Sequence, residues 1–229
     1  MGQYFEFVKN DTITVEGHIL HRIRCTRDCK WAKKGEFGGY IEEFENLFGD
    51  AWVCGDARVF GNAQVYGNAR VYGDAWVSGN ARVFGNARVF GKARVFGNAQ
   101  VYGDAQVCGN VWVFGNAQVY GDAQVCGNVW VYGDAQVYGN AQVSGDAQVR
   151  GDARIDCIKA HCGFDVFGSY GRHTHAYITA ENKIEITCGC FRGSIEEFEA
   201  KVRKTHGDNQ YAHEYLAIIY LIKIKFGLV

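Results

Sequence analysis

Residues 79–102 read GNARVFGNARVFGKARVFGNAQVY, one six-residue phrase written four times. The phrase runs in frame from Gly49 to Asp156, eighteen hexads without an insertion, each Gly-(Asn/Asp)-Ala-x-Val-y with few exceptions. So strict a period restricts the chain to stacked repeats, in which each unit buries its apolar face only against its neighbours. Within a hexad, Ala, x, Val and y alternate small, large, aliphatic, large. That is period two, a short strand with Ala and Val facing inward. Gly followed by Asn or Asp is turn chemistry, because both positions tolerate left-handed backbone angles. Hairpins built from such units would leave the x and y side chains without a consistent face, so the chain must bend at each turn and stack its coils in parallel. With 30 Gly and no Pro, the composition fits repeated tight turns rather than a linker. Ile41 and Leu47 fall in phase with the Val positions, which extends the first coil back toward residue 41.

These hexads resemble the hexapeptide-repeat, left-handed β-helix family, best known from bacterial acyltransferases. The resemblance implies three hexads per triangular coil, a left hand where the usual crossover rule would favour the right, and a trimeric assembly. Eighteen hexads then make six coils, a prism about 29 Å tall at about 4.8 Å per coil. The expected fold is an all-β solenoid at residues 41–156, with a small β cap at 1–40 and an α+β module at 157–229.

The flanks support that division. TITVEGHILHRIRC alternates as cap strands do. HAYITA and KIEITCGCF read as strands separated by the turn Glu181-Asn182. Ser194 and Glu197 form a capping box that opens a helix with Ile195, Phe198 and Val202 on one face. THGDN breaks it, and a second helix is expected from Gln210 to Phe226. The end segments KKGEFGGYIE and GCFRGSIEEFEAKVRKTHGDNQYAHEYL resemble those of uncharacterised hexapeptide-repeat proteins of bacteria and their prophages. That resemblance implies a role in phage–host conflict, through binding of a host protein or a small nucleotide ligand.

Charge removes several function classes. The net charge is −1, and within the hexads eight Lys/Arg stand against nine Asp, so neither nucleic acid nor an anionic membrane is favoured. A nucleic-acid-binding rod, with bases stacked on aromatics beside Arg58, Arg70, Arg82, Arg88 and Arg94, is the weakest alternative. MGQYFE lacks a secretory pattern, and Glu6 stands where myristoylation wants Ser or Thr. YLAIIYLIKIKFGLV is too short, and with Lys223 and Lys225 too charged, to span a bilayer. Nine cysteines form no regular framework, so reduced thiols in the cytoplasm are expected.

The search for chemistry is mostly negative. Hexapeptide acyltransferases, by resemblance, need a histidine base on the helix and an extruded loop. Between residues 41 and 160 there is no histidine, and no loop interrupts the hexads. An acyltransferase-like enzyme would have to recruit His161, His173 or His175 from the C-terminal module as its base. Cys25-x3-Cys29, Cys157-x3-His161-Cys162 and Cys188-x-Cys190 lack the pair spacing of structural zinc sites, so buried thiols, no metal and no cofactor are expected. Cys108 and Cys126, 18 residues apart, should be neighbours on successive coils, with no disulfide expected in a reducing compartment. Arg172, His173, His175 and His206 are the candidates for a pocket taking a small anionic ligand.

The outside of the prism carries the remaining signal. One column reads Tyr66, Phe84, Tyr102, Tyr120, Tyr138. A second reads Phe60, Ser78, Phe96, Phe114, Tyr132, flanked by Arg58, Trp76, Arg94, Trp112 and Trp130. Like rings stack between parallel strands. A column of rings at roughly 150–250 Å² each also reaches the size of patch that monomers seldom expose. Tyr66, Phe84, Tyr102, Tyr120 and Tyr138, with Trp76, Trp112 and Trp130, are therefore the expected interface of a homo-oligomer. The leading functional expectation is a non-enzymatic, self-associating scaffold or binding protein.

Overall fold

The computed structural model describes residues 4–229; residues 1–3, with which MGQYFE begins, lie outside the described residues. The hexads form a β-solenoid of about six turns whose short strands, two to four residues each, assemble into three parallel sheets. The register steps by 18 residues throughout: Val83, Val101 and Val119 are direct partners on one face, and Val77, Val95 and Val113 on another. Ala and Val point inward as the period-two pattern requires, and Ala99, Val101, Ala105 and Val107 are wholly buried.

The turns explain the invariant glycine. Gly103 adopts φ 73°, and a Cβ there would lie 2.9 Å from the Gly121 nitrogen on the next coil. Both the left-handed backbone and the close coil-to-coil approach exclude a side chain. The following Asn residues form amide ladders outside. Asn62 donates to Asn80, Asn80 to Asn98, Asn98 to Asn116 and Asn116 to Asp134, at 3.0–3.2 Å. Asp134 ends the ladder because a carboxylate has no proton to pass on.

Both ends of the prism are closed, which removes exposed strand edges. At the start, β1 (Phe5–Val15) and β2 (His18–Cys25) pair antiparallel, and β2 pairs with β3 (Phe37–Ile41), which joins the first coil in parallel. Tyr4, Phe5, Ile23 and Trp52 fill the mouth of the first coil. Asn46, buried to 2% exposure, donates from Nδ2 to the carbonyls of Gly61 and Ala63, both at 2.9 Å. It thereby satisfies acceptors that the missing preceding coil would otherwise have paired.

At the far end a four-stranded antiparallel sheet, in the order His161–Phe167, Arg172–Ile178, Ile184–Cys188 and Phe191–Gly193, lies over the last coil, with Tyr177 joining the solenoid core. Its opposite face is covered by α1 (Ile195–His206) and α2 (Gln210–Lys225). Two expectations need correction here. His161–Phe167 is a strand that sequence patterning missed, because four of its seven residues are exposed and Gly163 interrupts it. KIEITCGCF is two strands, since Gly189 at φ 57° turns the chain. The Ser194–Glu197 capping box is present, Ile195, Phe198 and Val202 are buried, and Asn209 caps α2 by accepting from the Ala212 N–H. Among the described residues no helix is long and apolar enough to cross a membrane.

The Cys108–Cys126 pair is a third correction. Adjacent coils in register put their Cα atoms 4.7 Å apart, within bonding reach, and the two are joined as a disulfide rather than held as free thiols.

Candidate functional site

Strand alternation decides which of the proposed pocket residues meet. Along Arg172–Ile178, successive side chains take opposite faces. Arg172 turns toward the helices, where it lines a cavity of about 160 Å³ together with His206, Lys201 and Tyr170. Phe191, Phe198, Val202 and Tyr215 complete its apolar floor. The Arg172 guanidinium stacks 4.8 Å over the Tyr170 ring, and its stem crosses Gly189, where a Cβ would collide with it at 2.6–2.8 Å. The ring of His206 is held beside Tyr215 at 5.7 Å between centroids. No carboxylate lines this cavity, and among the described residues the side chains of Arg172, Lys201 and His206 have no ionic or hydrogen-bonded partner. Beneath, Tyr215 approaches Cys188 at 3.9 Å, and burial pushes its hydroxyl pKa up to about 12. The phenol stays protonated and adds no negative charge. Of the residues that the sequence proposed for a pocket, Arg172 and His206 line this one cavity; Lys201 and Tyr170, which the sequence did not single out, join them through the packing of α1.

His173 and His175 face the other way, onto the last coil, and they do not share the cavity. His175 is 1% exposed. Its Nε2 lies 3.0 Å from Nδ1 of His161, whose Nε2 lies 2.9 Å from the Gln142 carbonyl. His175 Nδ1 lies 3.3 Å from the Gln148 carbonyl. Two neutral imidazoles hold two N–H protons for these three contacts. The two short contacts take them: His161 donates to Gln142, and His175 donates to His161. The Gln148 carbonyl instead accepts from the Thr187 hydroxyl at 3.4 Å. Burial lowers the pKa of both rings, that of His175 to about 3, and the neighbouring histidines and Lys225 push the same way. His173 Nδ1 sits 2.5 Å from Asp165, with its Nε2 buried and unpartnered against Gly163. A base must reach a substrate proton with a suitable pKa. His175 fails on both counts, and His173 and His161 present no free nitrogen to solvent.

The ladders are built as the register demands. Ring centroids along Tyr66, Phe84, Tyr102, Tyr120 and Tyr138 are 4.8–5.1 Å apart with interplanar angles of 2–8°. Phe48, just before the hexads, adds a sixth ring that the sequence reading omitted. The hydroxyls of Tyr102 and Tyr120 donate to Gln118 and Gln136 at 3.2 and 3.4 Å. On the second face Arg94 lies between Trp76 and Trp112, at 4.6 and 5.2 Å from their rings, and Trp112 stacks on Trp130 at 5.4 Å. Stacking hides the ring faces, so most of these residues are half-buried. Of the ladder residues, Phe48 and Trp130, each 42% exposed, are the open ones. The exposed stripe is thus one of ring edges, narrower than whole-ring areas suggest. A second apolar surface, absent from the sequence reading, is the outer side of α2, where Tyr220, Leu221 and Ile224 are exposed.

The comparisons with known proteins bear on the repeat. A family model described as the YdcK beta solenoid repeat matches residues 63–79, 75–90, 81–97, 105–121, 117–133, 123–139 and 135–151. None of the curated proteins matches the chain. Between residues 63 and 151, then, the chain is similar to the YdcK β-solenoid repeat family, a likeness of architecture that covers neither the cap nor the C-terminal module.

Proposed function

We propose that this protein is a non-enzymatic binding scaffold, a self-associating β-solenoid that carries a pocket for a small organic anion in its C-terminal module. The observation behind the pocket is its lining: Arg172, Lys201 and His206 stand around an aromatic floor with no carboxylate and no internal partner. Unpaired cations over a partly desolvated apolar surface favour a ligand with an anionic head and a flat or apolar body. The solenoid supports the scaffold half of the reading. Its inward columns are almost entirely Ala and Val, its coils repeat without an inserted loop, and its ring edges form stripes of the residue types enriched at interfaces. A second copy meeting those edges, in a trimer as the hexapeptide resemblance implies, is the assembly proposed.

A thermal-shift screen with inorganic phosphate, benzoate and adenosine monophosphate tests the pocket. The expected outcome is a concentration-dependent rise in Tm with at least one ring-bearing anion, absent in Arg172→Gln. A flat response to all three, or an equal response in the variant, would refute it.

A further inference from the structure

The second ladder has a missing rung. On that face the y positions run Phe60, Ser78, Phe96, Phe114, Tyr132. Phe96, Phe114 and Tyr132 stack at 4.9–5.0 Å, with planes within 2° of parallel. Phe60, at the top, is buried under Val15 and Leu20 of the N-terminal cap. Between Phe60 and Phe96 the chain supplies only a serine. Strands two coils apart are separated by roughly 10 Å, so the gap is one ring thick, and the upper face of Phe96 has no ring upon it. The opening is a cavity of about 270 Å³ lined by Glu16, Trp76, Ser78, Arg94, Phe96 and Trp112.

The polar groups around this gap are as specific as its shape. Elsewhere on this face three of the four y rings meet, edge to face, the tryptophan sixteen residues on: Phe60 with Trp76, Phe96 with Trp112, Phe114 with Trp130, at 5.9–6.4 Å and 73–78°; Tyr132 has Gln148 at that place. The residue that would meet a ring at position 78 is Arg94. Its guanidinium lies between Trp76 and Trp112, 4.6 and 5.2 Å from their ring centroids, and among the described residues it has no hydrogen-bond or ionic partner. The two rings flank it and leave its N–H donors unused. Glu16, at the β1–β2 turn, brings a carboxylate to the rim.

We propose that the Ser78 gap is a binding site for one planar heteroaromatic ring of the nucleobase class, which completes the ladder by stacking on Phe96. Acceptors on one edge of the ring take the donors of Arg94, and donors on the adjoining edge answer Glu16. Guanine offers both: N7 and O6 as acceptors for a guanidinium, and N1–H and the N2 amine as donors for a carboxylate. The carboxylate at the rim disfavours a phosphate, so the nucleoside is the better probe than the nucleotide. This site is separate from the anion pocket of the C-terminal module and does not rest on it.

Ligand-observed NMR with guanosine tests the proposal, with benzyl alcohol as a ring lacking the polar edge. Wild type is expected to bind guanosine saturably below millimolar concentration and benzyl alcohol at least tenfold more weakly. Ser78→Phe supplies the missing rung from within, so it should abolish guanosine binding while keeping or raising Tm. Arg94→Gln, which places in this column the residue already found at Gln148, should weaken guanosine roughly tenfold and leave the fold intact. It also decides the matter if Ser78→Phe folds poorly. Arg172→Gln should have no effect. Absence of saturable guanosine binding, equal binding of benzyl alcohol, or unchanged affinity in both slot variants would overturn the assignment.

Discussion

The solenoid and the C-terminal module solve the burial problem in opposite ways. The solenoid buries one pattern many times: small and branched aliphatic side chains inside, and backbone hydrogen bonds of 2.7–3.2 Å passed from coil to coil, as from Arg70 to Ala87 and Phe84 to Val101. Its inward Ala and Val columns hold nothing that titrates. The module buries each thing once: a histidine, three threonines, a tyrosine whose hydroxyl meets Glu185, and two capped helices. Repetition makes a rigid, chemically silent body, because every position is also a neighbour's position and cannot specialise alone. The aperiodic end escapes that constraint. Unpaired cations, buried imidazoles and an aromatic-floored cavity gather there, while the solenoid can act only through outer columns and through breaks such as Ser78.

The sharpest way to break the contrast is a charge in the repeat. Val101 is wholly buried between Val83 and Val119. Val101→Asp places an unpaired carboxylate there, which costs more than about 4 kcal/mol. The solenoid should lose its β signal cooperatively across neighbouring coils; an unchanged Tm would show that the core tolerates what its packing forbids.

A truncation in the module should stay in the module. Phe198 is 3% exposed and packs on Phe191 and Tyr215. Phe198→Ala should cost about 3–5 kcal/mol. Helical circular dichroism should melt early, while the β transition of the solenoid holds. A single transition shifted as a whole would mean that the two regions fold as one unit.

Acid should separate the regions without mutation. The pKa values of His161 and His175 are depressed in the folded state, so the unfolded chain binds more protons as pH falls below about 6.5. Stability is then present above that value and lost progressively toward about 3, where His175 itself titrates. By pH 5 the loss at His175 reaches about 2 kcal/mol, felt at the junction of module and last coil. Melting of wild type and His175→Gln between pH 7 and pH 5 should show a slope in the first and a flatter one in the second. Equal slopes would contradict the neutral-pair assignment.

Legibility followed the same divide. Eighteen hexads made the inward columns, the 18-residue register and the aromatic ladders readable, since each position was confirmed by its neighbours. Phe48 was readable too, one residue beyond the in-phase Leu47. In the module, helix caps and periodic faces could be read, but not the pocket. Strand alternation alone would have parted Arg172 from His173. Lys201 and Tyr170 join Arg172 only through the packing of α1 against the sheet, and no local pattern encodes that. The exposed side of α2 was hidden in a run whose apolar content suits burial, and only the packing shows which side is left out.

The outer ladder gives a smaller effect on the fold and a larger one on assembly. Tyr102 and Tyr120 are half-buried and contribute only stacking and one side-chain hydrogen bond each to the chain itself. Tyr102→Ser with Tyr120→Ser should leave the β signal nearly unchanged. Truncated interface aromatics commonly cost about 2 kcal/mol or more, so association should weaken roughly thirtyfold, read by sedimentation at micromolar concentration.

The most direct measurement pairs that double variant with Arg172→Gln and follows two readouts in each: sedimentation mass, and calorimetric titration with the ring-bearing anion that stabilises the wild type. The account predicts a crossed result. Arg172→Gln keeps the oligomer and loses at least tenfold in anion affinity, while Tyr102→Ser with Tyr120→Ser keeps anion affinity and dissociates toward the 25.5 kDa chain. A wild type that sediments as a 25.5 kDa monomer, or a pocket variant that binds as the wild type does, would contradict a division of labour between a self-associating solenoid and a ligand-binding module.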